Sequence, residues 1–282
     1  VDWIDRVFAV MALAPRHVFH VLTKRPRRMR QWARDPETPS RIARALLSIA
    51  VEAGFEIVDR RKGNSGRQHP GAEFFIPMPL PNVLLGVTVE TRRWADERIP
   101  ILLETPAAAR FVSVEPMLGA IRLDQIEHGD GVINALKPDT WGEIVAACWR
   151  DTEPNWVESF LDWYGFNEMP DLVARAHPGL DWVICGGESG PGARPVNPDW
   201  VRSIRDQCAE AGTPFFFKQW GEWGPEGPDP SRDGPGLAFD CHQFMKETSP
   251  KREYAFMWRV GKRRAGRLLD GVLHDDFPRA ER

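Results

Sequence analysis

Five short apolar segments punctuate the chain, at residues 17–23, 83–89, 110–114, 181–185 and 214–217. Each is compact, rich in β-branched or aromatic residues, and apolar almost throughout rather than at every second position. That pattern marks parallel strands covered on both faces. Helical periods lie between them, at residues 2–14, at 26–34, from a cap at Thr91 toward Glu104, and at 198–211. Pro100 is expected to kink or restart the third of these. The last is the best delimited, with Asn197 as N-cap, Pro198 at the first helical position and Gly212 as the stop. Alternating strands and helices imply right-handed βαβ units. The expectation is an incomplete parallel (β/α) barrel of the TIM type, one domain over residues 1–282.

Spacing refines that outline. Glu90 to Glu115 is 25 positions and Glu188 to Lys218 is 30, each about one βα unit. Lys24 to Glu90 is 66 positions and Glu115 to Glu188 is 73, so two insertions are expected, at about 36–80 and 124–179. The first contains the polar loop Arg60-Arg61-Lys62-Gly63-Asn64-Ser65-Gly66-Arg67. The second contains Thr140-x-x-Glu143, a capping-box pattern that opens a short helix. A tail follows over 224–282, first a loop rich in Gly and Pro over 224–236, then a helix at about 262–270.

Composition excludes several classes. Of 282 residues, 42% are hydrophobic and 27% charged, which is the balance of a folded globular protein. The net charge is −3, so any basic site must be local. No apolar run approaches the ~18 residues of a membrane span, and no basic-then-apolar signal pattern is read before the first apolar run, so neither a span nor a signal peptide is expected in these residues. Cys148, Cys185, Cys208 and Cys241 are separated by 37, 23 and 33 positions, without a Cys-x-x-Cys pair. Scattered thiols suit a reducing cytoplasm, and neither a zinc knuckle nor a cluster loop is readable. The first residue is Val and the opening reads as mid-helix, so a fragment or an alternative start is expected.

Polar residues collect at the C-terminal ends of the apolar segments. The first ends in Thr23-Lys24-Arg25, the second in Glu90-Thr91-Arg92-Arg93 and the third in Glu115-Pro116. The fourth runs into Gly186-Gly187-Glu188-Ser189-Gly190 and the fifth into Lys218-Gln219-Trp220. In parallel α/β folds such ends converge on one rim, where ligands bind. Lys24, Arg25, Glu90, Glu115, Glu188, Ser189, Arg194, Lys218, Gln219 and Trp220 are therefore the candidate ligand-binding residues; the competing reading is that strand ends are polar because they meet water. Arg25, Arg27 and Arg28 crowd the start of the 26–34 helix, where free N–H groups point outward. There they would strengthen an anion site for phosphate, carboxylate or nucleic-acid backbone, with Arg27 and Arg28 the candidate phosphate-binding residues, or else form a solvated helix face.

The glycine-rich segment 186–195 matches neither a Walker loop nor a dinucleotide fingerprint. Glu188 would grip an ammonium or hydroxyl group there, and Arg194 a carboxylate; alternatively the segment is a tight turn with Glu188 salt-bridged to a neighbouring strand end. Trp141, Trp149, Trp156 and Trp163, at gaps of 8, 7 and 7, would pack the second insertion or offer stacking surfaces. His274-Asp275-Asp276 lacks a second His at ligand spacing, so no metal site is expected. Cys185, inside a strand, reads as an inert core thiol.

Several motifs together resemble a phage-associated bacterial protein family of unknown function. They are Val21-Leu22-Thr23-Lys24-Arg25-Pro26, Gly86-Val87-Thr88-Val89-Glu90, Asp96-Glu97-Arg98-Ile99-Pro100 and 111–119. The segments 186–195 and Phe216-Phe217-Lys218-Gln219-Trp220-Gly221 continue the series, and 260–262 and 266–271 extend it to the C-terminal end. The resemblance implies a radical S-adenosylmethionine-like protein. Its N-terminal part would carry three clustered cysteines for an iron–sulfur cluster, and some members are encoded beside a partner protein named for that motif. This chain is expected to begin after that region, so no cluster cysteine transfers to it and no cofactor is assigned to its own residues. The implied function is the C-terminal, substrate-side part of such a protein, cytoplasmic, acting on nucleic acid or a nucleotide. A non-catalytic phosphate- or nucleic-acid-binding barrel of a mobile element, or an inactive truncated remnant, is the alternative.

Overall fold

The computed structural model describes residues 3–53, 76, 78–129, 131–137, 178–225, 237–240 and 254–278. In chain order its elements are α1 (Trp3–Leu13), β1 (Phe19–Thr23), α2 (Pro26–Arg34), α3 (Thr38–Glu52), β2 (Val83–Thr88), α4 (Arg92–Leu103) and β3 (Ala109–Val114). There follow β4 (Ile126–His128), β5 (Gly131–Ile133), β6 (Trp182–Gly186), α5 (Pro198–Ala211), β7 (Phe215–Gln219), β8 (Trp223–Gly224), β9 (Leu237–Asp240), β10 (Tyr254–Arg259) and α6 (Lys262–Ala265). None of the described helices is long and apolar enough to cross a membrane.

The expected barrel does not close. The five apolar segments form an open parallel sheet in the order β1-β2-β3-β6-β7. The outer edge of β7 is occupied instead by the C-terminal segment. The Phe217 amide donates to the His274 carbonyl at 2.9 Å and the Asp276 amide to that of Phe215 at 3.3 Å. Phe216 and Asp275 form an antiparallel bridge. An edge satisfied in this way has no free ladder to offer another strand. Every residue of β2 is buried, as its continuous apolarity predicts. β1 alternates between half-buried and exposed positions, which suits an edge strand and departs from the expectation of two covered faces.

The chain divides into two compact units, residues 1–85 with 105–109, and residues 86–104 with 110–282. In the first, α1, α2 and α3 meet at Asp5, which is fully buried on α1. The Trp32 indole N–H donates to its Oδ1 at 2.8 Å and the Arg41 Nε to its Oδ2 at 3.1 Å. Arg41 also reaches Asp35 at 2.6 Å. The rings of Phe8 and Trp32 pack with centroids 4.2 Å apart. The Asn82 side-chain amide donates to the carbonyls of Met11, Ala14 and His17, closing the turn after α1. Helix α3 lies in the first insertion, where the sequence reading placed only a polar loop. Its own signal is Pro39 near the start, with Ile42, Ala43 and Ala45 on its buried side. The polar loop 60–67 lies outside the described residues.

In the second unit β3, β6 and β7 run parallel, with Val112 opposite Val183 and Ile184 opposite Phe216. α5 covers them with Val201, Ile204 and Cys208, all buried. It starts and stops as its sequence dictates. Asn197 accepts from the Asp199 amide at 2.9 Å, and Gly212 takes φ +72°, a left-handed conformation that glycine adopts at little cost. α4 carries Pro100 internally, and Thr91, though extended, makes no side-chain capping bond. The second insertion opens with the hairpin β4–β5, which the sequence reading missed; Thr140, Glu143 and the four tryptophans lie outside the described residues. The expected C-terminal helix stops at Ala265, because Gly266 at φ +68° breaks it and the following residues run to the edge of β7.

The Phe111 ring lies against the backbone of Gly86, and a Cβ on Gly86 would meet ring carbons at 2.5 Å. Phe111 is 2% exposed and has no route outward. Gly86→Ala is therefore expected to destabilise the protein by about 1–3 kcal/mol through overpacking. Gly86→Ala with Phe111→Leu should recover part of that loss. A urea midpoint unchanged by the single substitution would show that the ring does not occupy this position.

Candidate ligand-binding rim

At the C-terminal ends of β3, β6 and β7 the chain turns tightly, and the turns interlock. A Cβ on Gly187 would overlap the Trp220 carbonyl, and one on Gly221 the Glu188 carbonyl. Gly221 also sits at φ +82°. Backbone thus touches backbone, and hydrogen bonds stitch the contact. Gly187 N–H donates to the Gln219 carbonyl at 2.8 Å and Glu222 N–H to the Glu188 carbonyl at 2.9 Å.

Glu115 and Lys218 meet on this rim. Lys218 Nζ donates to Glu115 Oε2 at 3.1 Å. The carboxylate lies over Gly186, where an added Cβ would stand 2.6 Å from its Oε1. The Glu115 side chain is 15% exposed and that of Lys218 is 54% exposed, so the ammonium faces solvent while the carboxylate is held from below. Gln219 Nε2 donates to Ser189 Oγ at 3.2 Å across the adjoining turn.

Other candidates are committed elsewhere. Glu90 is buried and accepts from Arg98 at 3.0 Å. The same guanidinium donates to the Thr88 carbonyl at 2.6 Å and stacks over Trp94 at 4.1 Å. Leu118 N–H donates to the Glu90 carbonyl at 2.8 Å, so Glu90 joins α4 to the turn after β3. Trp220 is 2% exposed, and its indole N–H donates to the Leu268 carbonyl, which makes it a core residue. Glu188 and Arg194 grip one another. Arg194 Nε and Nη2 donate to the two carboxylate oxygens at 2.8 and 3.0 Å, and its backbone N–H adds a bond at 2.9 Å. Those bonds hold the Glu188 carboxyl down at about 2. Glu188 is thus salt-bridged within its own turn, to Arg194 rather than to a neighbouring strand end, and neither side chain is a free clamp.

Lys24, Arg25, Arg27 and Arg28 belong to the first unit and are exposed. Arg25 stands at the N-cap of α2 without a side-chain capping bond, its backbone N–H donating to Thr23 Oγ1 at 3.0 Å.

The sequence reading missed what braces the glycine turn. β8, β10 and β9 form a small antiparallel sheet. From it Arg259 Nη2 donates to the carbonyls of Gly190 and Pro191 at 3.2 and 2.6 Å, and the Trp223 indole donates to that of Ala193 at 2.8 Å. Glu222 Oε1 accepts from Gly190 N–H at 3.2 Å. The alternation Tyr254-x-Phe256-x-Trp258 is the strand signal that was available.

An iron–sulfur cluster needs several thiolates close together. Cys185 is fully buried with its thiol 3.8 Å from the Met117 sulfur, and burial pushes its pKa far up. Burial pushes the Cys208 thiol, on α5, up to about 12. These two do not fit a cluster, and Cys148 and Cys241 lie outside the described residues. Among the described residues no cluster of His, Cys, Asp and Glu could hold a metal. The segment His274-Asp275-Asp276 is occupied with the edge of β7, and Arg267 pairs with Asp275.

The Glu188–Arg194 pair gives a pH test. Because the folded carboxyl titrates below its ordinary value, the pair contributes stability above about pH 4.5, and loses it as pH falls toward 2. Glu188→Gln should lower the thermal midpoint by a constant amount between neutral pH and about 5, and the difference should vanish near pH 2. A difference that ignores pH would mean that the carboxylate charge is not what holds the turn.

No curated protein and no solved structure matches the chain. A family model does, over residues 1–278, and its description is that of a protein of unknown function, DUF5131. With nearly its whole length matched, the chain belongs to the DUF5131 family.

Proposed function

We propose that the rim of β3, β6 and β7 is the substrate side of a radical S-adenosylmethionine-like protein, and that its ligand is a nucleotide, free or within nucleic acid. The observation that carries the reading is the Glu115–Lys218 pair, a shielded carboxylate beside an exposed ammonium at the C-terminal ends of parallel strands. Ligands of open parallel sheets bind at those ends. The ammonium would take a phosphate or carbonyl oxygen as a point charge. The carboxylate, supported from below by the bare backbone of Gly186, would accept from a hydroxyl or exocyclic amine. Since the described cysteines do not fit a cluster, the role assigned to these residues is recognition and orientation of the substrate.

A non-catalytic phosphate- or nucleic-acid-binding role is the second reading. It draws on Arg25, Arg27 and Arg28, exposed at the start of α2.

Calorimetric titration with a panel of ribonucleoside and deoxyribonucleoside monophosphates and triphosphates separates the two. Lys218→Met and Glu115→Gln should each weaken binding at least tenfold. Their thermal midpoints should stay near that of the parent, because an ion pair whose ammonium side chain is 54% exposed contributes little to folding. If both variants bind as the parent does, while Arg25→Ala/Arg27→Ala/Arg28→Ala abolishes binding, the second reading replaces the first.

A further inference from the structure

Between Tyr254 and Arg267 the chain carries Arg259, Lys262, Arg263, Arg264 and Arg267 and no acidic residue. In a protein of net charge −3 this is a local concentration of positive charge. It coincides with an aromatic pair. Phe256 and Trp258, two positions apart on β10, point to the same face of the small sheet. Their rings stack at 26° with centroids 6.0 Å apart. Met257, between them, points the other way and is fully buried. Phe256 is left 47% exposed.

The basic helix lies on the aromatic side. Trp258 is the cross-strand partner of Gly224, so a side chain at either position projects from the same face. A Cβ on Gly224 would meet Ala265 of α6 at 3.2 Å. α6 therefore covers the face from which Trp258 projects, and its Lys262, Arg263 and Arg264 are exposed. Phe256, exposed and stacked on the half-buried Trp258 beside a cluster of cations, is what a strand with unpaired bases and a phosphate backbone requires.

We infer that the outer face of β10 together with α6 is a binding surface for single-stranded nucleic acid, with bases on Phe256 and Trp258 and phosphates on Lys262, Arg263 and Arg264. The inference rests on the reading of the ligand as nucleic acid and adds a surface separate from the Glu115–Lys218 pair.

Fluorescence anisotropy with labelled oligo-dT and oligo-rU, over a series of salt concentrations, tests it. Lys262→Gln/Arg263→Gln/Arg264→Gln should weaken binding at least tenfold at low salt. It should also flatten the logarithmic salt dependence by about 2, at roughly 0.7 per lost phosphate contact. Phe256→Leu, which keeps apolar packing, should weaken binding about fivefold or more and leave the salt slope unchanged. Both surface variants should keep the parent's affinity for mononucleotides in the calorimetric titration, so that failure of the rim reading and failure of this one are told apart. Unchanged affinity and slope in both surface variants would overturn the inference, as would equal binding of an acidic peptide that ignores Phe256→Leu.

Discussion

Two turns of bare backbone pressed together hold the rim in place. Gly187 against the carbonyl of Trp220, and Gly221 against that of Glu188, leave no volume for a side chain at either site. The close approach lets hydrogen bonds continue past the end of the ladder, from Gly187 to Gln219 and from Glu222 to Glu188. Lys218, Gln219 and Ser189 take their positions from that join. The carboxylate of Glu115 depends on the same economy of volume, since Gly186 leaves the space it occupies. Glycine costs conformational entropy on folding, so three positions without a side chain, two at the end of β6 and one just beyond β7, trade local stability for proximity.

Buried charge plays the complementary part in each unit. Asp5 is fully buried, yet both of its oxygens receive donors, one from α2 and one from α3. Glu90 and Arg98 form the corresponding pair beside β2, with the guanidinium also satisfying the Thr88 carbonyl. Such pairs are weak sources of net stability against an apolar replacement, but strongly destabilising when one partner is lost. Their geometry fixes which helix sits against which segment, and this is why Glu90 is unavailable to a ligand although it follows a strand.

The open sheet and the small antiparallel sheet are linked through the C-terminal region. Residues 274–276 complete the edge of β7, while β10 sends Arg259 to the glycine turn and carries α6 on its other face. One stretch of chain thus finishes the parallel sheet, braces the rim and displays the aromatic and basic residues of the proposed nucleic-acid surface.

Strand and helix identity was legible because it depends on local pattern. Continuous apolarity marks β2, and Asn197, Pro198 and Gly212 delimit α5 to the residue. The placement of Glu115 and Lys218 at strand ends followed from the same alternation. What local pattern does not encode is which partner a polar group finds. Glu90, Glu188 and Trp220 read as rim residues, but their partners, Arg98, Arg194 and the Leu268 carbonyl, lie 8, 6 and 48 positions away. Closure was equally out of reach. Five βα-like segments suit a barrel or an open sheet, and the outcome at β7 depends on a pairing with residues more than fifty positions later. The sequence by itself determined the elements and their polar ends, because backbone propensity and burial period act within a few residues. Only the tertiary structure decided which charges are spent on one another and which stay accessible, because that depends on distances set by packing.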